Sequence, residues 1–422
     1  MKTLYIYADK GLPKLNYVFD FVFQQLLSLD YKVISNLEIF TSAPSQPRLN
    51  YSRDYIKGVI SIVSSDYFSE FKMSIIPKFE SDLLFLDDKS NFDVFAAIFY
   101  LLARVEEYTS TKIDEHNRFP SSASQLVAKN LLQIPVVDKW VESLRTQLNS
   151  TYKFALIEPS YSATSTIDID HIYAYKGKST LMSLGSMGKD MLTLQGSKLK
   201  ARLGKDPFDT YASMIKSNKD NGFAPTFFML TAERAQYDKS FSPSHPLFMT
   251  KVMELSSQYE LGIHPSYQSN EDVKLLTQEI TNLSTLTNQR ITKSRQHYLK
   301  MRLPQTYRNL LENGIEEDYT MGYADSVGFR AGTSQPFYWY DLESDKVTTL
   351  KVIPFCIMDV TLRKYLGHSP DAAIGLIEDL VSSIRAVGGH CCFIWHNSSF
   401  YAAEGWSGWD KVYTKLLQIA RP

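Results

Sequence analysis

The sequence is poor in cysteine, has almost no net charge and contains no apolar run long enough to cross a bilayer. Only three residues of 422 are cysteine: Cys356, Cys391 and Cys392. Their number is odd, all lie in apolar strand-like runs, and none has metal-ligand spacing. A disulfide framework is therefore excluded, and small core residues in a reduced compartment are expected. Lys and Arg number 45 against 46 Asp and Glu, for a formal net charge of -1. The concentrated basic footprint of a nucleic-acid binder is missing. The densest basic stretch, Lys198 to Lys205, is interleaved with Leu, Ala and Gly and reads as a solvated helix face. The longest apolar run, Phe92 to Val105, carries Asp93 and Arg104 and is too short to span a membrane. Met1 to Lys10 alternates like a strand and lacks the apolar segment of a secretion signal. A soluble, cytoplasmic protein with neither nucleic-acid nor membrane partners is the expectation.

What is present is ordinary in bulk: 44% hydrophobic and 22% charged residues. The aromatic share, 13% with 26 Tyr and 24 Phe, is high. Tyr in excess suits a surface that stacks on sugars or peptides, and a large core accounts for it more simply. A chain of 422 residues exceeds what one hydrophobic core usually supports, so two domains are expected. Residues 1–155 read as a smaller α/β domain. Leu4 to Tyr7 is a strand, Lys14 to Leu27 an amphipathic helix, Phe92 to Tyr108 a buried helix, and Trp140, Leu144 and Leu148 mark a third.

From 156 to 422 short apolar runs alternate with amphipathic segments. Strands are expected over Ser165–Asp170, Pro225–Leu230, Leu261–His264, Ile291–Leu299, Asp318–Phe329, Leu350–Asp359 and Cys391–His396. The helix carrying Ile374, Ile377, Val381 and Ile384 is framed by Ser369 as N-cap, Pro370 at its first position and Gly388-Gly389 as its stop. Seven strand–helix alternations predict an α/β fold, a distorted parallel (β/α)7-type barrel, with its chemistry at the C-terminal strand ends.

The polar residues at those ends are few. In Ser165–His171, Asp168 and Asp170 stand two apart and project to one face of the strand. Two carboxylates so close need a cation or a shared proton, although a solvated strand end would also tolerate them. His264 and His297 end the next strands. Each alone reads as a structural histidine; together with the aspartate pair they make an Asp/His/His set that leaves open positions on a divalent metal. His396 at the last strand end could protonate a leaving group, Asp359 could orient it, and Arg330 could pair with Asp168. Ordinary buried hydrogen-bonding roles fit these three equally well. Phe400 to Trp409 could be a sugar-stacking lip or a hydrophobic plug. Glu106, Glu107, His116 and Arg118 could reach the second domain, and a local salt-bridge cluster is the simpler reading.

These motifs, in this order, resemble the polysaccharide deacetylases of carbohydrate esterase family four. The closer resemblance is to a bacterial subgroup with an extra leading domain, in Asn50-Tyr51-Ser52, Phe92 to Tyr108 and Asp114 to Phe119. The resemblance implies Asp168 as base and Asp170 as metal ligand. It implies Arg330 as partner of the base, and His396 with Asp359 as the acid pair. The family's second motif holds two histidines one helical turn apart; here His264 is followed by Gln268, and His297 stands in as the remaining ligand. The family's Pro-containing signature after the Arg is stretched to Arg330–Phe337. The implied reaction is removal of an acetyl group, N-acetyl before O-acetyl, from a sugar or polysaccharide precursor, with one divalent transition metal, zinc foremost. Two alternatives stand beside it: a metal- and nucleotide-dependent sugar transferase using Asp168-Ile169-Asp170, and a carbohydrate-binding relative without catalysis.

Overall fold

The computed structural model describes residues 3–8, 13–42, 46–65, 67–87, 89–177 and 204–422. The basic stretch Lys198 to Lys205 lies outside them but for its last two positions. Among the described residues no helix is long and apolar enough to cross a membrane.

The first 63 residues build an open parallel sheet from β1 (Leu4–Ala8), β2 (Tyr31–Ile34), β3 (Arg48–Ser52) and β4 (Ile60–Val63), in the order β2-β1-β3-β4. The amphipathic segment between β1 and β2 is a helix, Pro13–Phe19, widening into a looser turn over Asp20–Leu26, and it buries Leu15, Val18 and Val22. A short hairpin of β5 (Phe79–Glu80) and β6 (Leu83–Leu84) follows. The expected helix over Phe92–Tyr108 is two helices, Val94–Leu102 and Val105–Thr109. Arg104 separates them with φ +53, a left-handed turn that sends its guanidinium back to Glu106 and Glu107. Asp93 caps the first of these helices by accepting from the Ala96 N–H.

A second sheet has nine strands: β7 (Ser162–Ile169), β8 (Thr226–Met229), β9 (Leu261–Ile263), β10 (Lys293–Ser294), β11 (Glu317–Asp318), β12 (Phe337–Asp341), β13 (Lys346–Val352), β14 (Ile357–Met358) and β15 (His390–His396). The order is β12-β13-β11-β10-β9-β8-β7-β15-β14. Every pairing is parallel except β12 with β13. Both faces of β7 are covered, which is why its last five residues are all buried and its sequence carries little alternation.

The expected barrel is not closed among the described residues. β13 pairs with β11 on one side and its other edge is taken by β12, so no edge is left for β14. The sheet nevertheless curls. Phe228, Tyr319, Phe355, Cys392 and Ile394, from both flanks, share one buried cluster, and the Phe355 N–H donates to Met321 O at 3.1 Å. Two expected strands are shorter than their apolar runs suggested: only Lys293–Ser294 and Glu317–Asp318 pair. Beyond them the backbone turns into the loops that carry the site.

The helix Pro370–Arg385 has Ser369 as its cap and Pro370 at its first position. The N-terminal part packs on β12 and β13. Tyr17 Oη donates to Tyr338 O at 2.7 Å, and the rings of Tyr17 and Phe99 lie 5.1 and 5.2 Å from Tyr340. Gly328 sits where the two parts meet: a Cβ there would lie 2.3 Å from Leu132 O.

Candidate metal centre

Parallel strands bring their C-terminal ends to one rim, and six side chains from that rim converge. Asp168 is in register with His396 on β15 and Phe228 on β8, while Asp170 follows the end of β7. His264 follows β9, and His297 lies three residues beyond β10. Asp170, His264 and His297 offer ligand atoms that lie within 4.8 Å of one another.

Each imidazole has one nitrogen committed elsewhere. His264 Nδ1 is 2.5 Å from Arg295 O, and His297 Nδ1 is 2.7 Å from Asp238 Oδ1. Both Nε2 atoms therefore face inward, 3.2 Å from Asp170 Oδ1 for His264 and 3.7 Å from Oδ2 for His297. Asp170 Oδ1 is buried and has no hydrogen-bond partner. Two imidazole nitrogens and one carboxylate oxygen around a common point suit a divalent transition ion and leave coordination positions free. The residues present fit the metal.

Asp168 faces the same point from the other side. Its Oδ1 accepts from Arg295 Nη1 at 2.7 Å, and its Oδ2 lies 3.9 Å from His264 Nε2 and 4.0 Å from His396 Nε2. Behind His396, Asp359 Oδ1 meets Nδ1 at 2.8 Å and its Oδ2 accepts the His396 N–H at 2.8 Å. Burial disfavours a charged imidazole at His396, but Asp359, with Asp170 and Asp168 beyond it, outweighs that and raises its pKa to about 10. His297 is raised to about 9 against the same burial by Asp170 and Asp238. Burial likewise opposes the Asp170 carboxylate, and the facing histidines hold it well below the ordinary carboxylate range.

Six of the seven sequence candidates are thus brought together and one is not. Arg330, expected beside Asp168, is bound to Glu107 through Nε at 2.9 Å and Nη2 at 2.6 Å. Its guanidinium is turned away because Gly328 and Gly332 fold the segment against the N-terminal part, where Glu107 waits. The arginine that meets Asp168 is Arg295, fully buried, with its guanidinium carbon 4.5 Å from the Phe228 ring centroid. A legible signal existed: an arginine inside a buried strand run, two residues before His297, must find an acid. Asp238 escapes sequence reasoning as well. It lies in the loop after β8, and nothing in its local sequence marks it.

A family model described only as DUF7033, a family of unknown function, matches residues 4–153. No curated protein matches the chain. Solved structures that resemble it include a Mycobacterium smegmatis protein assigned to the polysaccharide deacetylases, 14% identical, covering 59% of this chain and 83% of that one at a TM-score of 0.37. The polysaccharide deacetylase Bc1974 of Bacillus cereus is 12% identical, covering 60% and 86% at 0.31. An allantoinase, Puue, is also 12% identical, covering 56% and 78% at 0.34. Likenesses this distant decide nothing about chemistry, which rests on the geometry.

The centre lies at the floor of a cavity of about 620 Å³. One wall is aromatic. Tyr237 stacks on Tyr267 with centroids 4.1 Å apart, and Tyr298 and His116 pack edge-on against them. Tyr298 and Leu299 have φ of +59 and +52, a left-handed bend costing on the order of 1–3 kcal/mol per residue. The N-terminal part clamps that bend: Arg118 Nη1 donates to Tyr298 O at 2.5 Å, and Asp114 holds Arg118 Nε at 2.7 Å. Arg118 therefore reaches the cavity and His116 backs its aromatic wall, whereas Glu106 and Glu107 form a sealed ion cluster. Trp406 also borders the cavity but is only 4% exposed, packed on Trp409 beneath Arg363, so it plugs the wall and offers no stacking lip.

Proposed function

We propose that this chain is a metal-dependent hydrolase that removes an acetyl group, N-acetyl first, from a carbohydrate. The observation that carries the reading is the position of Asp168 Oδ2, aimed between the Asp170/His264/His297 set and His396 at 3.9 and 4.0 Å. A divalent ion held by Asp170, His264 and His297, zinc or a similar transition metal, would supply Lewis-acid polarisation of the acyl oxygen. Everything else is done by the chain itself. Asp168 Oδ2 takes the proton of the attacking water, and Arg295 fixes the direction of that carboxylate by holding Oδ1. Water oxygen bonds to the acetyl carbon, the carbon–nitrogen bond breaks, and His396 Nε2 delivers its proton to the departing amine. Asp359 is placed to stabilise the imidazolium from behind.

The transferase alternative expects an open nucleotide-binding sheet early in the chain. Such an open parallel sheet is present in residues 4–63, but Asp168 and Asp170 belong to the other sheet, among three histidines. The hydrolase reading uses all of them.

Elemental analysis and acetate release test it together. Wild-type protein is expected to hold about one transition metal per chain and to release acetate from N-acetylated sugar oligomers, with both properties lost in His264→Ala and His297→Ala. Retention of metal by His297→Ala would remove that residue from the ligand set. Metal-free wild type with no acetate release would leave carbohydrate binding as the better reading.

A further inference from the structure

Resting on that reading, we propose that the sugar this site accepts carries an anionic group, a phosphate or a carboxylate, bound at the cavity rim by Arg118, Arg234, Lys239 and Lys364. The chain as a whole has a slight acidic excess, 45 basic against 46 acidic residues. Its cavity departs from that balance. Apart from Asp168, Asp170 and the histidines, the ionisable Arg, Lys, Asp and Glu side chains lining it among the described residues are those four cations and a single acid, Glu404. A concave wall lined with one sign of charge focuses field and attracts the opposite sign.

The four cations are not equivalent. Arg118 is 8% exposed, its Nε tied to Asp114 and its Nη1 to Tyr298 O, so part of its charge is shared and its orientation is set. Arg234, Lys239 and Lys364 are exposed and form no ion pair with a described residue. Lys364 lies 5.8 Å from the Trp406 ring centroid, which holds it toward the cavity. Arg234 and Lys239 come from the loop after β8, Lys364 from the helical turn Thr361–Tyr365 and Arg118 from the N-terminal part, so nothing in local sequence requires their convergence. Beside them, Tyr237 and Tyr298 offer an aromatic wall for a sugar ring. Guanidinium groups suit the two-point recognition of phosphate or carboxylate, and the lysines add long-range attraction.

Calorimetric titration with glucose, glucose 6-phosphate and glucuronate tests the inference without turnover, because none carries an acetyl group. The expected result is affinity at least about tenfold higher for one or both anions than for glucose, shrinking as salt is raised. A bound cation would itself attract anions, so substitutions at the rim decide between the two sources. Arg234→Gln with Lys364→Gln should erase most of the preference, whereas Lys219→Gln with Lys274→Gln, an equal loss of charge outside the lining, should leave it intact. The larger preference of the two anions identifies phosphate or carboxylate. Equal affinity for all three sugars, or a preference untouched by the rim variants, would overturn the inference. Acetate release from N-acetylglucosamine and its 6-phosphate is read separately. Anion preference without any acetate would sink the hydrolase reading and leave the anion site standing.

Discussion

Two buried ionic clusters lie in this molecule, both pairing carboxylates with cationic side chains and put to opposite uses. In the first, sealed between the N-terminal part and the second sheet, Arg104 meets Glu106 and Glu107 at 2.8 and 2.7 Å. Arg330 meets Glu107 at 2.6 Å and Gly322 O at 3.0 Å, while Ser124 and the Gln125 N–H close the remaining valences of Glu106. No polar atom of these four side chains is left without a partner. Burial opposes the Glu107 carboxylate, yet Arg330 and Arg104 hold its pKa below the ordinary value. The second cluster, at the cavity floor, is less completely sealed, Asp170 being half-buried, and it is incomplete: Asp170 Oδ1 and Arg295 Nη2 have no hydrogen-bond partner. A buried polar atom left open costs free energy unless something binds it. Saturation suits the first cluster to a clamp, and the open atoms make the second the candidate site.

The contrast is open to attack in order of expected effect. His396→Gln, which can still donate to Asp359, should lower kcat for acetate release by about 10²–10⁴-fold with little change in the urea midpoint. A variant that instead unfolds early with its turnover intact would make the floor a clamp too. Glu107→Gln should do the reverse, removing about 3–5 kcal/mol of stability by leaving Arg104 and Arg330 short of charge. Metal content per folded molecule should stay unchanged, and metal lost in step with stability would erase the distinction. A third, intermediate case is Asp138, buried at the junction of the same two parts and bonded to the Ser334 N–H at 2.9 Å. Burial raises its pKa from 3.8 to about 6, only partly offset by Ser334 and Thr333. Folded Asp138 keeps its proton in a window where the unfolded chain has lost it. Stability should therefore fall as pH rises through that window, and Asp138→Asn should flatten the slope. Smallest of all, Lys216→Ala breaks an exposed pair with Asp220 and should change stability by less than about 0.5 kcal/mol, a surface baseline for the two buried clusters.

Much of the fold could be read from pattern because it is local. The cap at Ser369 with Pro370, the amphipathic stripe of Leu15, Val18 and Val22, and the apolar runs of β7, β8, β9 and β15 all stand in the structure near their expected places. Boundaries failed where apolar residues continue past a strand end to pack inside loops, as over Ile291–Leu299 and Asp318–Phe329. Barrel closure failed because the β12–β13 hairpin, hidden among Phe, Tyr and Trp, occupies the edge that closure needed.

For the site, the sequence by itself determined which acids and histidines stand at the ends of parallel strands, because strand period and direction place them there whatever the rest of the chain does. Asp168, Asp170, His264, His297, Asp359 and His396 follow from that rule. Only the tertiary structure decided the partners. Arg295 rather than Arg330 meets Asp168, Asp238 stands behind His297, and Arg118 arrives from the N-terminal part to hold Tyr298. Charge pairing across the molecule depends on which loops meet, and that follows from the summed packing of both parts, which no local pattern contains.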